Sequence, residues 1–270
     1  MPLPDRPVLP PYNGGIRFGV IPPHPHPTAF RPDSQITPVG PTLPPPPAVV
    51  DWIGPISSWG VMGNDRINDC VVACMGHVIE AWTGAASTRV VIQDTDVIAT
   101  YSALTGYNPS TGTPDPGLVV SAAMSYWQRI GLAGHKIDIA ATANSIGRPN
   151  TYQSMITYLI QYYCAAILSF HLPLAAIDAF RNGGIWDANM GPGAEFHCVP
   201  AFAYDQTRCD VVTWGQPQKV TWGFIAQYLV ELWGVMSVDW MRANGSSPTN
   251  ESRQFLDSSL PNLLTWVVVI

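Results

Sequence analysis

Prolines are concentrated at the amino-terminal end of this chain, where 16 of the 27 lie within residues 1–50 and four follow one another at Pro44–Pro47. Proline fixes φ at about −65° and has no backbone N–H, so a segment this rich in proline forms neither helix interiors nor central strands. It favours an extended, polyproline-like conformation instead. We therefore predict an extended proline-rich N-terminal arm over residues 1–49 and a folded domain over residues 50–270.

The composition limits the classes of protein to which the folded part can belong. Hydrophobic residues make up 47% of the chain, enough for a sizeable core. The formal net charge is −6 and no run of Lys and Arg exceeds two residues, which argues against nucleic acid as a partner. No apolar run approaches the roughly 18 residues of a membrane span, and Met1–Asp5 does not open a signal peptide. We expect a soluble protein that is made in the cytoplasm, with its five cysteines as free thiols.

Helical patterns come first along the folded part, and strand patterns follow. Asn68 or Asp69 can cap a helix that ends at Gly84. Nearer the carboxyl end, the pattern predicts a helix over Thr221–Leu232 and an apolar strand over Leu263–Ile270. An order of helices followed by strands is typical of α+β proteins.

Cys70 lies where loop-forming residues give way to the first of these helical patterns. The first turn of a helix carries unpaired N–H groups and a partial positive charge. Both favour the thiolate, which is the nucleophilic form of cysteine. Most helix cysteines are inert packing residues, so a catalytic role requires a base and an oxyanion site elsewhere in the chain.

Four segments, taken in order, resemble the papain-like cysteine peptidases. They are the run Val50–Trp52, the loop that ends in Cys70, a histidine at the start of a strand at His197, and the run Val212–Gly215. Asn64, six residues before Cys70, stands where that family has the side-chain amide of its oxyanion hole. The spacing of these segments is more specific than any one motif.

This resemblance extends over roughly residues 50–240 and implies an α+β fold in which the nucleophile helix packs against an antiparallel sheet half. It also implies a hydrolase that cleaves an amide or acyl bond, with a peptide as substrate, through a thioester intermediate. Cys70 would be the nucleophile, His197 its general base, and Asn64 an oxyanion donor together with the backbone N–H of Cys70. A thiolate beside an imidazolium forms a stabilised ion pair, and two donors can stabilise the charge on the carbonyl oxygen.

The chain departs from the family at the residue that orients the histidine ring, which is an Asn in the family. Val212 stands at that position when Trp214 is matched, and a shift of one residue gives Thr213. Asp210 is the nearest carboxylate on the same strand, so Asp210 and Thr213 are the candidates for the third member. Asp69 would oppose ionisation of the neighbouring thiol unless its carboxylate caps the helix.

A metal site is a competing interpretation of the same helix. Cys70, Cys74 and His77 share one helix face and could combine with His197 or Cys198. The short paired spacings of structural zinc sites are absent from the sequence. We therefore expect neither a metal nor another cofactor.

A second alternative keeps the fold without its chemistry. A catalytically silent papain-like protein could serve as a structural subunit of a large assembly, for example a phage or viral particle. Residues 1–49 and the apolar tail 263–270 would then bind neighbouring protein subunits. The arm could also lie in the cleft as a propeptide does, although the propeptides of the family are helical.

Overall fold

The computed structural model of the protein describes residues 2–4, 6, 9–22, 43–143 and 149–264. The helices are α1 (Cys70–Ala85), α2 (Asp94–Thr105), α3 (Val120–Arg129), α4 (Pro149–Tyr163), α5 (Leu174–Arg181), α6 (Trp222–Tyr228) and α7 (Arg253–Leu263). The strands are β1 (Val50–Asp51), β2 (Ile139–Thr142), β3 (Ala166–Pro173), β4 (Gly193–Tyr204), β5 (Arg208–Thr213), β6 (Gln216–Thr221) and β7 (Leu229–Met236).

The strands form one antiparallel sheet in the order β2-β7-β3-β4-β5-β6, and β1 pairs with β4. Helix α1 packs against β4, with α2 and α3 also in contact with it. This sandwiching buries α1 from Cys70 to Thr83. The architecture is α+β, with the predicted helix packed against an antiparallel sheet, and it places the first residue of α1 beside β4.

The start of α1 differs from its prediction in how it is capped. Asp69 is the cap residue, but its side chain makes no capping hydrogen bond. The side chain of Asn68 donates instead to the backbone oxygen of Asp115 at 3.0 Å. The helix also runs one residue beyond Gly84, to Ala85.

The predicted helix over Thr221–Leu232 is wrong in its second half. A short α6 starts after Thr221, whose hydroxyl accepts from the backbone N–H of Phe224 at 3.1 Å. From Leu229 the chain becomes β7, which pairs with both β2 and β3. Two ladders of hydrogen bonds pair the backbone N–H and C=O groups of this segment with those of its neighbours. Such tertiary pairing outweighs local helix propensity.

The carboxyl end also differs from its prediction. Leu263, predicted to open a strand, ends the helix α7, which the sequence analysis missed. The side chain of Ser252 caps α7 by accepting from the N–H of Phe255 at 3.2 Å. The rest of the predicted strand, residues 265–270, lies outside the described residues.

The described part of the arm lies on the body of the same molecule. Leu3 is buried and donates its N–H to Asp205 at 2.9 Å. Arg6 bridges two carboxylates of the body, Asp51 at 2.8 Å and Asp210 at 3.1 Å. Within the described ranges, the arm before residue 50 contains no helix and no strand beyond an isolated bridge at Val20.

In the part of the chain that the structure describes, every helix is too short or too polar to cross a membrane.

Candidate active site

The residues singled out by the sequence meet at one small cavity of about 10 Å³, room for about one water molecule. Cys70 reaches it from the first turn of α1, and Asn64 from the loop before that helix. His197 reaches it from β4, and Thr213 from the end of β5. Trp214, the next residue, completes this wall of the cavity.

His197 is held by contacts on its edge and on its face. Its Nε2 lies 2.7 Å from the hydroxyl oxygen of Thr213, and Trp214 stacks on the ring with centroids 4.4 Å apart. Its Nδ1 is buried and has no hydrogen-bond partner among the described residues. With the ring proton on Nε2, the imidazole donates to Thr213 and keeps the lone pair of Nδ1 free to accept a proton.

Thr213, and not Asp210, contacts the imidazole. The carboxylate of Asp210 accepts from Arg208 at 2.9 Å and from Arg6 at 3.1 Å. Asp210 and Thr213 are three residues apart on β5, so their side chains point to opposite faces of the sheet. A threonine hydroxyl therefore occupies the place beside the histidine for which the sequence left two candidates.

Burial favours the uncharged form of both Cys70 and His197. Burial lowers the pKa of His197 to about 3. Burial raises the pKa of the Cys70 thiol well above its usual range, and the nearby Cys198 thiol and Asp69 carboxyl raise it further. Burial therefore disfavours the thiolate–imidazolium pair expected from the sequence while the site is closed to solvent.

The loop before α1 supplies the amide expected at the oxyanion site. Asn64 is buried, and its Nδ2 donates to the backbone oxygen of Ile67 at 3.1 Å. A side-chain amide has two N–H donors, and the Asn64 side chain borders the cavity. Next to it, burial raises the pKa of Asp69 well above the usual range, which the Asn64 side chain partly offsets. Asp69 is thus biased toward its neutral acid form, which weakens its opposition to the thiolate.

The metal interpretation gains no support from the geometry. The Nε2 of His77 lies 2.8 Å from the backbone oxygen of Gly60, so this nitrogen is already occupied. Among the described residues, no group of three or more His, Cys, Asp or Glu side chains could hold a metal ion. All five cysteines are buried and free.

The arm covers the site, which the sequence analysis left only as one of several possibilities. Arg17 donates its N–H to the backbone oxygen of Asn64 at 3.1 Å, and its own backbone oxygen accepts from Nε1 of Trp214 at 3.0 Å. The ring of Phe18 then lies edge-on to His197, with centroids 5.7 Å apart. The cysteine, the histidine and the segment around Phe18 together form a closed site.

Comparison with known proteins agrees with this architecture. No protein-family model matches the chain, and no curated protein matches it in sequence. Among solved structures, the chain is similar to xylellain, a cysteine protease from Xylella fastidiosa, with 12% identity, a TM-score of 0.57, and coverage of 87% of this chain and 99% of that one. A structure from work on antibody cross reactivity between the mite allergens Blo t 1 and Der p 1 matches with 13% identity, a TM-score of 0.50, and 74% of each chain. The chain therefore has the papain-like fold, as the sequence resemblance predicted.

Proposed function

We propose that this protein is a cysteine hydrolase that cleaves an amide or acyl bond of a peptide. Nδ1 of His197 takes the thiol proton as the sulfur of Cys70 attacks the carbonyl carbon. The Asn64 amide and the backbone N–H of Cys70 stabilise the resulting oxyanion. The histidine then gives its proton to the departing amine or alcohol. The acyl group stays on the sulfur of Cys70 as a thioester. Water, deprotonated by the same nitrogen, hydrolyses the thioester and restores the thiol.

The observation that carries this proposal is the way His197 is held. Its Nε2 is fixed by Thr213 at 2.7 Å, while Nδ1 has no partner within the described chain and the ring borders the cavity of Cys70. A buried nitrogen without a hydrogen bond costs free energy. Because its ring borders the cavity of Cys70, this nitrogen is suited to act as a base: a proton taken from the thiol would occupy its free lone pair.

The arm makes the proposed enzyme latent in this conformation. Phe18 covers His197, and the chain around it fills the space that a substrate would need. Departure of the arm would admit water, which raises the pKa of the histidine, lowers that of the thiol and favours the ion pair. Activity is therefore expected only when the arm leaves the cleft.

Alkylation by chloroacetamide, mapped by mass spectrometry, tests the proposal. An arm-released variant, defined as the full chain with Arg6→Ala and Phe18→Ala, loses the ion pairs and the aromatic contacts that help to hold the arm. We expect fast, selective modification of Cys70 in this variant and slow modification after His197→Ala is added. Equal, slow labelling of all five cysteines in both proteins would refute a reactive cysteine–histidine pair.

A second candidate function is the silent structural subunit. The occupied cleft favours it, because a permanently bound arm would leave Cys70 and His197 without a substrate. Binding of neighbouring subunits through residues 1–49 and 263–270, in a viral or phage particle or another assembly, is part of this proposal. Deleting residues 1–48 should then leave a folded body that no longer enters the assembly. Normal incorporation of the deleted protein would refute this second function.

A further inference from the structure

Backbone hydrogen bonds hold the arm segment over the site, alongside the ring contacts of Phe18. The N–H of Leu118 donates to the oxygen of Gly19 at 2.6 Å, and the N–H of Ile21 donates to the oxygen of Leu118 at 2.8 Å. Together with the contacts of Arg17 and a 3.4 Å bond from the N–H of Val20, these bonds hold residues 17–21 in place. The segment lies between two walls, the loop of residues 64–68 on one side and Gly117–Leu118 on the other. Backbone recognition of this kind accepts most sequences unless a side chain meets a wall.

Two glycines lie where the walls leave no space for a side chain. A Cβ added to Gly15 would overlap the backbone oxygen of Asp65. A Cβ added to Gly19 would overlap the backbone oxygen of Asn68, and the φ of Gly19 is +130°, a value that L residues rarely adopt. The opposite wall is equally close, since a Cβ added to Gly117 would overlap the oxygen of Gly19.

These walls are fixed to each other and cannot yield easily. The carboxylate of Asp115 accepts from the N–H of Asn68 at 3.1 Å and from the hydroxyl of Tyr101 at 2.7 Å. That hydroxyl accepts from the N–H of Gly117 at 2.9 Å. Both glycine contacts are with backbone atoms, which do not swing aside as a flexible side chain does.

One arm side chain between the glycines faces the reactive groups. Phe18 packs edge-on against His197 and against Trp214, with centroids 5.7 Å and 6.1 Å apart. Aromatic edge-to-face pairs are favourable beyond the area they bury. The cleft thus combines backbone bonds, an aromatic contact and two glycine-only positions.

We propose that the cleft selects extended peptides with glycine at two positions four residues apart and an aromatic residue directly before the second. The arm run Gly15–Gly19 is its bound example, and a peptide of the same pattern is the partner that fits in trans. This inference rests on the proposed function for the view that such a peptide is a substrate or inhibitor. The selection for glycine itself follows from the walls alone.

Hydrogen exchange on the full chain gives the first test. The amides of Ile21 and Leu118 should be protected in the wild type, and Gly15→Ala or Gly19→Ala should lower that protection at least about tenfold. Gly14→Ala is the matched control, because its added methyl meets only the ring of Tyr12 and no atom of the two walls. Unchanged protection in both Gly15→Ala and Gly19→Ala would overturn the proposal.

A labelled synthetic peptide of residues 12–22, added to the full-chain Gly19→Ala protein and followed by fluorescence anisotropy, gives the second test. We expect this peptide and its Gly14→Ala form to bind, and the Gly19→Ala peptide to bind at least about tenfold more weakly. Equal binding of the three peptides would overturn the selection for glycine. Neither readout involves chemistry at Cys70, so an inert cysteine would refute the proposed function and leave this inference standing.

Discussion

At the scale of single residues, Thr213 determines how the imidazole of His197 is presented to the thiol. Its hydroxyl oxygen lies 2.7 Å from Nε2, and in the proposed mechanism this contact orients the ring. A hydroxyl on a β-branched side chain has few rotamers, so the contact is well ordered. The sequence could not choose between Thr213 and Asp210, because a shift of one residue along a strand turns a side chain to the other face.

Thr213→Val tests this orienting contact, because valine keeps the shape and removes the acceptor. In the arm-released variant, we expect the rate of Cys70 acylation by an aryl ester to fall by roughly 100-fold, the lower end of what positioned acid–base catalysis contributes. Thr213→Ser should retain most of the rate. A Thr213→Val rate equal to that of the parent would show that this hydroxyl does not position the ring.

His77, a buried histidine that also borders the cavity, makes stability depend on pH. Burial lowers the pKa of His77 to about 4, below its value of about 6.5 in the unfolded chain. Between these values the unfolded state binds the proton more readily, so stability falls as the pH drops from about 6.5 to 4. The shift corresponds to about 3 kcal/mol when fully expressed.

Urea unfolding at pH 7.5 and pH 4.5 measures this effect in wild type and His77→Gln. Glutamine can still donate to the backbone oxygen of Gly60, and it does not titrate. Glu80, whose pKa burial raises to about 7, acts in the opposite sense, but its contribution cancels when the two proteins are compared. The variant should lose less stability than the wild type on acidification, and an equal loss would contradict the assignment to His77.

At the scale of elements, β7 shows what local patterns cannot specify. The sequence of its first residues fits a helical pattern, but the segment forms a strand that pairs with β2 on one side and β3 on the other. Nothing in the local sequence indicates those partners. The meeting of Asn64 and Cys70 at one cavity was easier to predict, because the two residues lie within one loop and the helix start that follows it. The fold class followed from the order of helices and strands, whereas the path of the arm depends on walls that only the folded body creates.

Gly234 is where β7 meets the helices that cover it. A Cβ added there would lie 2.5 Å from Leu159 on α4 and 2.8 Å from Leu260 on α7. Because both neighbours are buried, Gly234→Ala should destabilise the protein by about 1–3 kcal/mol through overpacking. Thermal unfolding measures this loss of stability. The control is Gly54→Ala, because its added methyl would make ordinary van der Waals contacts. A Gly234→Ala protein as stable as the control would contradict this packing.

At the scale of the whole molecule, the arm and the body act as one closed unit. Arg6 joins the two through Asp51 and Asp210, and the segment after it leads to Phe18 over the site. Two charged hydrogen bonds to partly buried carboxylates hold the arm more firmly than an exposed pair would. Loss of this anchor should open the cleft before it affects the core.

Limited trypsin digestion measures how firmly this anchor holds. We expect Arg6→Ala to speed cleavage after Arg17 by roughly tenfold, because removing the charged hydrogen bonds raises the population in which the arm is detached. Cleavage after Arg129, exposed at the end of α3, serves as the internal control. Cleavage after Arg17 that is as slow in the variant as in the wild type would show that other contacts suffice.

The alkylation rate of Cys70 across pH tests the central claim, a reactive cysteine–histidine pair beneath a removable arm, most directly. In the arm-released variant, we predict rapid alkylation that extends below pH 7 and that His197→Ala shifts to the higher pH of an ordinary thiol. The wild type should react slowly at every pH, because its arm covers the site. A Cys70 that reacts like an ordinary thiol in the arm-released protein, with or without His197, would contradict the account.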